Sequence, residues 1–352
     1  MRITWNGDDA SWGDAPAHAF SSIVLLPTGL SLHYTDPEES SLIGNGTIGS
    51  PYVLFSTSDL SLLQSEPDAH FVLGTDIALP STWKGADFDG SFDGNGFRII
   101  ATGSMVEDGL FGMVNGRITR LGIVGGTFYS ASGGDGYKGT LCRQLGFSFS
   151  DRLYATIENC YARGCTIETG GDRAGGLIGI QMSVTSQLHR SYAACERIGV
   201  VGTRVGGIRG FRDRGASSFL YFNSDTWGST AVGQHSTSSA PGGFPRTTSE
   251  MYQQDTYDTF DFEMTWRAVL GNYPDIRQRR AIRIEWDEVP GWWDDYDAIH
   301  VVYEVRRNGR LLVKRHQINN YYDSHVDFTQ TYLYEVRARL YVVSDQLVDA
   351  SV

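Results

Sequence analysis

The sequence predicts an all-β protein: a right-handed parallel β-helix, a C-terminal β-sandwich after it, and a small segment in front. Three observations carry this. Glycine stands at 42 of 352 residues with only 10 prolines, the mark of many tight turns between many short strands. A four-fold internal repeat runs through the middle of the chain. Beyond about residue 280 the repeat gives way to amphipathic strands separated by turn-like stretches. The boundaries read as 1–43, 44–276 and 277–352.

The first 43 residues hold two apolar strand candidates, SSIVLLP and LSLHY. A segment of this size is too small for a core of its own and reads as an attachment arm or cap. In GNGTIGSPYVLFSTSDLSLL (44–63), Ser56 and Asp59 have the spacing of a capping box before a short helix. FVLGTDIAL (71–79) and FDGSFDGNGFRII (88–100) read as strands around an Asp/Gly turn. The repeats follow: GLFGMVNGRITRLGI (109–123), GTLCRQLG with ATIENCYARG (139–164), GGLIGIQMSVTSQLHRSYA (175–193) and GGIRGFRDRGASSFLYFNS (206–224).

Leu110, Leu141, Leu177 and Ile208 recur at spacings of 31, 36 and 31, and Ile118, Ile157, Leu188 and Phe219 at 39, 31 and 31. Three residues after the second set come Leu121, Cys160, Ser191 and Phe222. Like residues at a fixed repeat mean that each unit buries its apolar side against the next. In TTSEMYQQDTYDTFDFEMTWRAVLGNYPDI (247–276), Thr247 and Glu250 again have capping-box spacing, ahead of an aromatic-rich run.

These segments together resemble the bacterial GLUG-repeat proteins: the G-L-x-G and I-x-N-C-Y motifs, the FDGNG turn, and a closing F-D-F, W and Y-P. The resemblance covers about 44–276 and implies a β-solenoid used for surface display, with no shared catalytic site. It departs at Leu188-His189-Arg190-Ser191 and at FLYFNS. The last region, with Trp286, Tyr303, Asn308-Gly309 and Tyr334 in order, resembles a fibronectin type III sandwich. At this length its first strand is missing or borrowed from 278–284.

A formal charge of −12, from 41 acidic and 29 basic residues, argues against nucleic-acid or anionic-membrane binding. No apolar run is long enough to insert in a membrane. Cys142, Cys160, Cys165 and Cys195 have no familiar metal spacing and read as small apolar fillers, with zinc or a disulfide as the other reading. Asp87, Asp89, Asp93 and Asn95 suit tight turns as well as calcium, and fail the EF-hand template. No metal site or cofactor is expected.

Acids aligned on neighbouring rungs, about 4.8 Å apart, would suit glycoside hydrolysis. The outward positions read Thr119, Glu158, His189, Leu220 and Arg120, Asn159, Arg190, Tyr221, neither an acidic ladder, so no enzyme is expected.

Two clusters suit glycan binding or a subunit interface. Arg204, Arg209, Arg212 and Arg214 lie within eleven residues, and alignment of DRAGG with TRVGG sets Arg173 one rung from Arg204. Guanidinium groups so placed grip carboxylates or sulfates, or else pair with acids such as Asp172 and Asp213. In GWWDDYD, Trp292, Trp293, Asp294, Asp295 and Tyr296 combine sugar-covering rings with hydroxyl-accepting acids, or plug the sandwich end.

The start MRITWNGDDASWGD has no apolar signal-peptide core. The expectation is therefore a structural, receptor-binding component of a tailed phage or gene-transfer-agent-like particle. It would be made in the host cytoplasm and displayed on the released particle. Its partners would be other particle proteins and a host surface polysaccharide. A bacterial adhesin exported without such a signal is the second reading, and a polysaccharide lyase or glycosidase the third.

Overall fold

The computed structural model describes residues 2–3, 30–31, 44–129, 136–147, 155–168, 173–198, 204–235, 242–278, 282–286, 299–316, 320–323 and 332–342. They fall into two units, Leu54–Gln278 and Met1–Val53 with Arg279–Val352.

The larger unit is a parallel β-helix. On one face His70–Leu73, Ser91–Asp93, Arg117–Thr119 and Thr156–Glu158 stack in register, followed by the starts of Gln187–Ile198 and Ala216–Asn223. Alternation turns Phe71, Phe92, Ile118, Ile157 and Leu188 inward, each at most 1% exposed. On another face Phe111, Cys142, Ile178, Arg209 and Val232 stack as neighbours. The aliphatic residues before the first four, Leu110, Leu141, Leu177 and Ile208, are buried on the 31, 36, 31 spacing that the repeat gives. Rings fill the N-terminal end of the lumen, with Phe88 5.0 Å and Phe92 5.6 Å from Phe111. Each fully buried side chain of this kind contributes about 1.5–3 kcal/mol.

The four cysteines are free and buried. Cys160 follows Leu121 in one inward column, and burial pushes its thiol up to about 12. They serve as apolar filling.

The second register requires a correction in the last repeat. Leu188 stacks on Ser217, not on Phe219, and Ser191 on Leu220, not on Phe222, so the spacing is 29. Each rung turns its corner with a single left-handed residue: Arg120 (φ 53°), Asn159 (φ 53°), Arg190 (φ 42°), then Phe219 (φ 55°). At that corner Phe219 packs outward on the aromatic cluster described next. Ser217 turns inward, where it accepts a hydrogen bond from Arg209.

Past the corner the strands stack again, and Tyr161, Tyr192, Tyr221 and Phe244 line up outside the solenoid. Tyr161 and Tyr192 stack at 5.1 Å with 4° between their planes. This ladder is covered by residues 247–278, which fold back along the flank and bury Met251, Tyr257, Phe260 and Trp266 on it. The segment starts with the Thr247/Glu250 capping box and ends in a hairpin of Trp266–Val269 and Asn272–Ile276. Ser56 and Asp59 likewise exchange reciprocal bonds of 3.3 and 2.9 Å ahead of the helix Leu62–Ser65.

Gly122 is where the ladder has to begin. A Cβ there would stand 2.4 Å from the Tyr161 ring. Gly122→Ala is expected to lose about 1–3 kcal/mol by overpacking, read from urea denaturation. Gly122 is not among the left-handed glycines, so crowding against that ring sets the cost.

The smaller unit is antiparallel. Arg2–Ile3, Tyr332–Val342, Ile299–Arg307 and Arg310–His316 form one sheet, and Leu30–Ser31, Ile282–Trp286 and Asn320–Asp323 another. Asn308 (φ 50°) and Gly309 (φ 77°) make the tight turn of the central hairpin. N-terminal residues thus supply an edge strand to each sheet. Buried Tyr334 and Arg307 both donate to Asp323, at 2.8 and 2.9 Å.

Candidate binding surface

The arginines of the third and fourth repeats are ordered by a small parallel sheet of Tyr137–Lys138, Arg173–Gly175 and Arg204–Gly206. Tyr137, Arg173 and Arg204 are direct neighbours in it. Alternation buries Lys138, Ala174 and Val205 and leaves the tyrosine and both arginines half-buried on the opposite face. The adjoining strand Arg209–Arg212 comes close because Gly210 has no side chain; a Cβ there would meet Ala174 N at 2.5 Å.

That approach brings Phe211 under the arginines. The Arg173 guanidinium lies 4.7 Å from the Tyr137 ring centroid and 5.3 Å from that of Phe211, and Arg204 lies 5.8 Å from Phe211. Arg173 also donates to the Tyr137 hydroxyl. Ring faces hold such cations in place, worth about 0.5–2 kcal/mol each, while leaving the donor edge free. Among the described residues neither arginine forms an ion pair with a carboxylate. Asp172, the acid nearest in sequence to Arg173, lies outside the described residues, and Asp213 faces Arg214 at 3.7 Å.

The other arginines of the run do different work. Arg209 is wholly buried in the lumen, which removes it from any surface grip. It stands in the column of Phe111, Cys142 and Ile178, where the earlier rungs place apolar side chains. Arg212 is half-buried and donates to Gly215 O at 2.6 Å. Arg214 is exposed. Trp292, Trp293, Asp294, Asp295 and Tyr296 lie outside the described residues.

The carboxylates of the solenoid are engaged in holding it. Asp93 pairs with Arg120 and accepts Asn95 N at 2.8 Å. Asp89 accepts from Asn115 at 2.8 Å, and Asp87 from Met113 N at 2.7 Å. On the outward column the register reads Asp93, Thr119, Glu158, His189, Ser218, with serine where the sequence reading put Leu220. An acid, a base and a hydroxyl thus stand on three successive rungs, and His189 Nδ1 lies 2.7 Å from Ser218 Oγ. Burial holds the imidazole below its ordinary value. Glu158 does not orient that imidazole, since its oxygens accept from Arg117 and Arg190. The same histidine–serine pairing recurs at His70 and Ser91, 2.5 Å apart, as a rung-to-rung tie.

Sequence reading missed a buried polar centre at Asp275, which joins the covering segment to the solenoid. It accepts from the Tyr161 hydroxyl at 2.6 Å and lies 3.2 Å from Arg267 and 3.6 Å from Arg163. The period of Tyr161, Tyr192 and Tyr221 was a legible sign that something covers this flank.

No family profile matches the chain, and no curated protein matches it. The solved structure of a Bacteroides ovatus protein provisionally named an immunoglobulin A1 protease is similar over 67% of this chain and 94% of its own, at 17% identity and a TM-score of 0.43. Likeness of that degree carries neither fold nor activity across.

Proposed function

We propose that this chain is a binding and structural protein whose β-helix offers an arginine–aromatic ladder to an acidic surface polysaccharide. The observation that carries the reading is the pair Arg173 and Arg204, in register, held on rings and free of described carboxylates. Adjacent rungs set their backbones about 4.8 Å apart, so successive acidic groups of an extended chain meet successive guanidiniums. The resemblance of the repeats to GLUG-repeat proteins agrees with a display role. We place the protein on a phage-like particle, where several copies raise a weak single-site affinity by avidity.

Affinity electrophoresis in gels containing a polyuronate, a sulfated glycan or a neutral glucan tests the reading. Retardation is expected in the acidic gels alone, and Arg173→Ala/Arg204→Ala is expected to weaken it at least tenfold. Release of oligosaccharide when the same acidic polysaccharides are incubated with the protein in solution would replace the reading with a depolymerase. Equal retardation of the double variant would remove the ladder from it. Co-purification with capsid or tail proteins separates a particle component from a cell-surface adhesin.

A further inference from the structure

The lumen of the β-helix changes character in its last turns. One inward column runs Phe111, Cys142, Ile178 and then Arg209, and three residues further on another runs Val114, Leu145, Gln181, Arg212 and His235. Across the lumen, Ile157 and Leu188 give way to Ser217. An apolar core thus becomes basic within two rungs.

Among the described residues the basic groups have no counter-charge. Arg209 is 0% exposed and donates to the amide oxygen of Gln181, to Ser217 Oγ at 2.9 Å and to Gly242 O at 2.9 Å, all neutral acceptors. Among the described residues no carboxylate reaches ion-pair distance of Arg209, Arg212 or His235. Two buried nitrogens, Nε of Arg209 and Nδ1 of His235, have no hydrogen-bond partner. Burial and then the Arg212 charge lower Arg209 to about 9, which leaves it cationic at neutral pH. Burial lowers His235, and Arg212 and Arg209 lower it further. A buried cation of this kind is costly unless an anion completes it, and a guanidinium fork fits the edge of a tetrahedral oxyanion.

We infer that this end of the lumen is a binding site for one small oxyanion of the sulfate or phosphate class. Arg212 and His235, neighbours on adjacent rungs and both half-buried, are the contacting groups. Arg209 stands behind them as the fixed buried charge. The site is separate from the Arg173–Arg204 ladder: Arg209 is buried inside and Arg212 continues the column of Val114, Leu145 and Gln181, whereas Phe211 between them turns toward the ladder.

Isothermal titration of the full chain with sodium sulfate and sodium phosphate, against chloride at matched ionic strength, tests this. One saturable equivalent is expected in the native protein. Arg212→Gln and His235→Gln alter half-buried residues and so preserve the core; each is expected to weaken binding at least tenfold. Arg173→Ala/Arg204→Ala is expected to bind sulfate unchanged, so this inference and the polysaccharide reading fail separately. A sulfated monosaccharide as a third titrant distinguishes a free ion from an ester group on a glycan. Absence of saturable binding of all three titrants, equal affinity in both single variants, or loss of sulfate binding in the ladder variant would overturn the inference.

Discussion

Replacing Trp266 by alanine is expected to destabilise the β-helix by about 3–5 kcal/mol, the range for deleting a large buried ring. The side chain is fully buried, its ring 4.5 Å from Phe260, 5.9 Å from Tyr192 and 6.3 Å from Tyr161. Its indole N–H donates to Asn159 at 3.2 Å, the residue that turns the corner of the second repeat. One substitution therefore empties a cavity, strips an acceptor at a left-handed corner and loosens the cover over the tyrosine ladder. Urea denaturation of Trp266→Ala beside Met264→Ala checks it, because Met264 is two residues away yet 66% exposed. A loss below about 1 kcal/mol for Trp266→Ala would mean that the cover adds little to the solenoid beneath it. Hydrogen exchange should then locate faster opening in 247–278 and along Tyr161, Tyr192 and Tyr221.

The stack of rungs was legible where chemistry repeats. Leu110, Leu141, Leu177 and Ile208 share one environment, and so share one type of side chain. Cys160 could be placed because it follows Leu121 in the same column. The last repeat misled because its inward position holds Ser217, chosen by buried Arg209, while the nearby apolar Phe219 is chosen by the cover outside. The corner itself has no common chemistry: Arg120, Asn159, Arg190 and Phe219 share only a backbone conformation.

Among the candidate site residues, the pairing of Arg173 with Arg204 was legible because both precede the same glycine-turned corner. Arg209 was not, because a charged residue gives no sign that the lumen will take it where Phe111, Cys142 and Ile178 stand in the earlier rungs. Asp275 gave no local signal at all. Its partners Tyr161 and Arg163 come from the strand Tyr161–Glu168, over a hundred residues away, and Arg267 from the facing strand of its own hairpin, and only the fold brings them together.

That convergence sets the second large expectation. Asp275→Ala should cost about 3–5 kcal/mol at neutral pH, since it leaves the largely covered Arg163 and the buried Tyr161 hydroxyl without their shared acceptor and removes the partner of the more exposed Arg267. Burial alone would raise the Asp275 pKa. The Tyr161 hydrogen bond, Arg163 and Arg267 outweigh that and hold it below its ordinary 3.8.

A carboxylate lowered in the folded state adds stability that is complete above its unfolded value and fades as pH falls through the folded one. Native protein should therefore lose this increment below about pH 4, and its unfolding curve should converge on that of Asp275→Ala at lower pH. Asp275→Asn separates the two causes, keeping an acceptor for Tyr161 while removing the charge that faces the arginines. If the charge is what matters, Asp275→Asn will follow the alanine variant at pH 7 and lose its acid dependence. If the acceptor is what matters, it will follow the native protein at pH 7. Neutral pH divides these outcomes most widely, since the native carboxylate is there fully ionised.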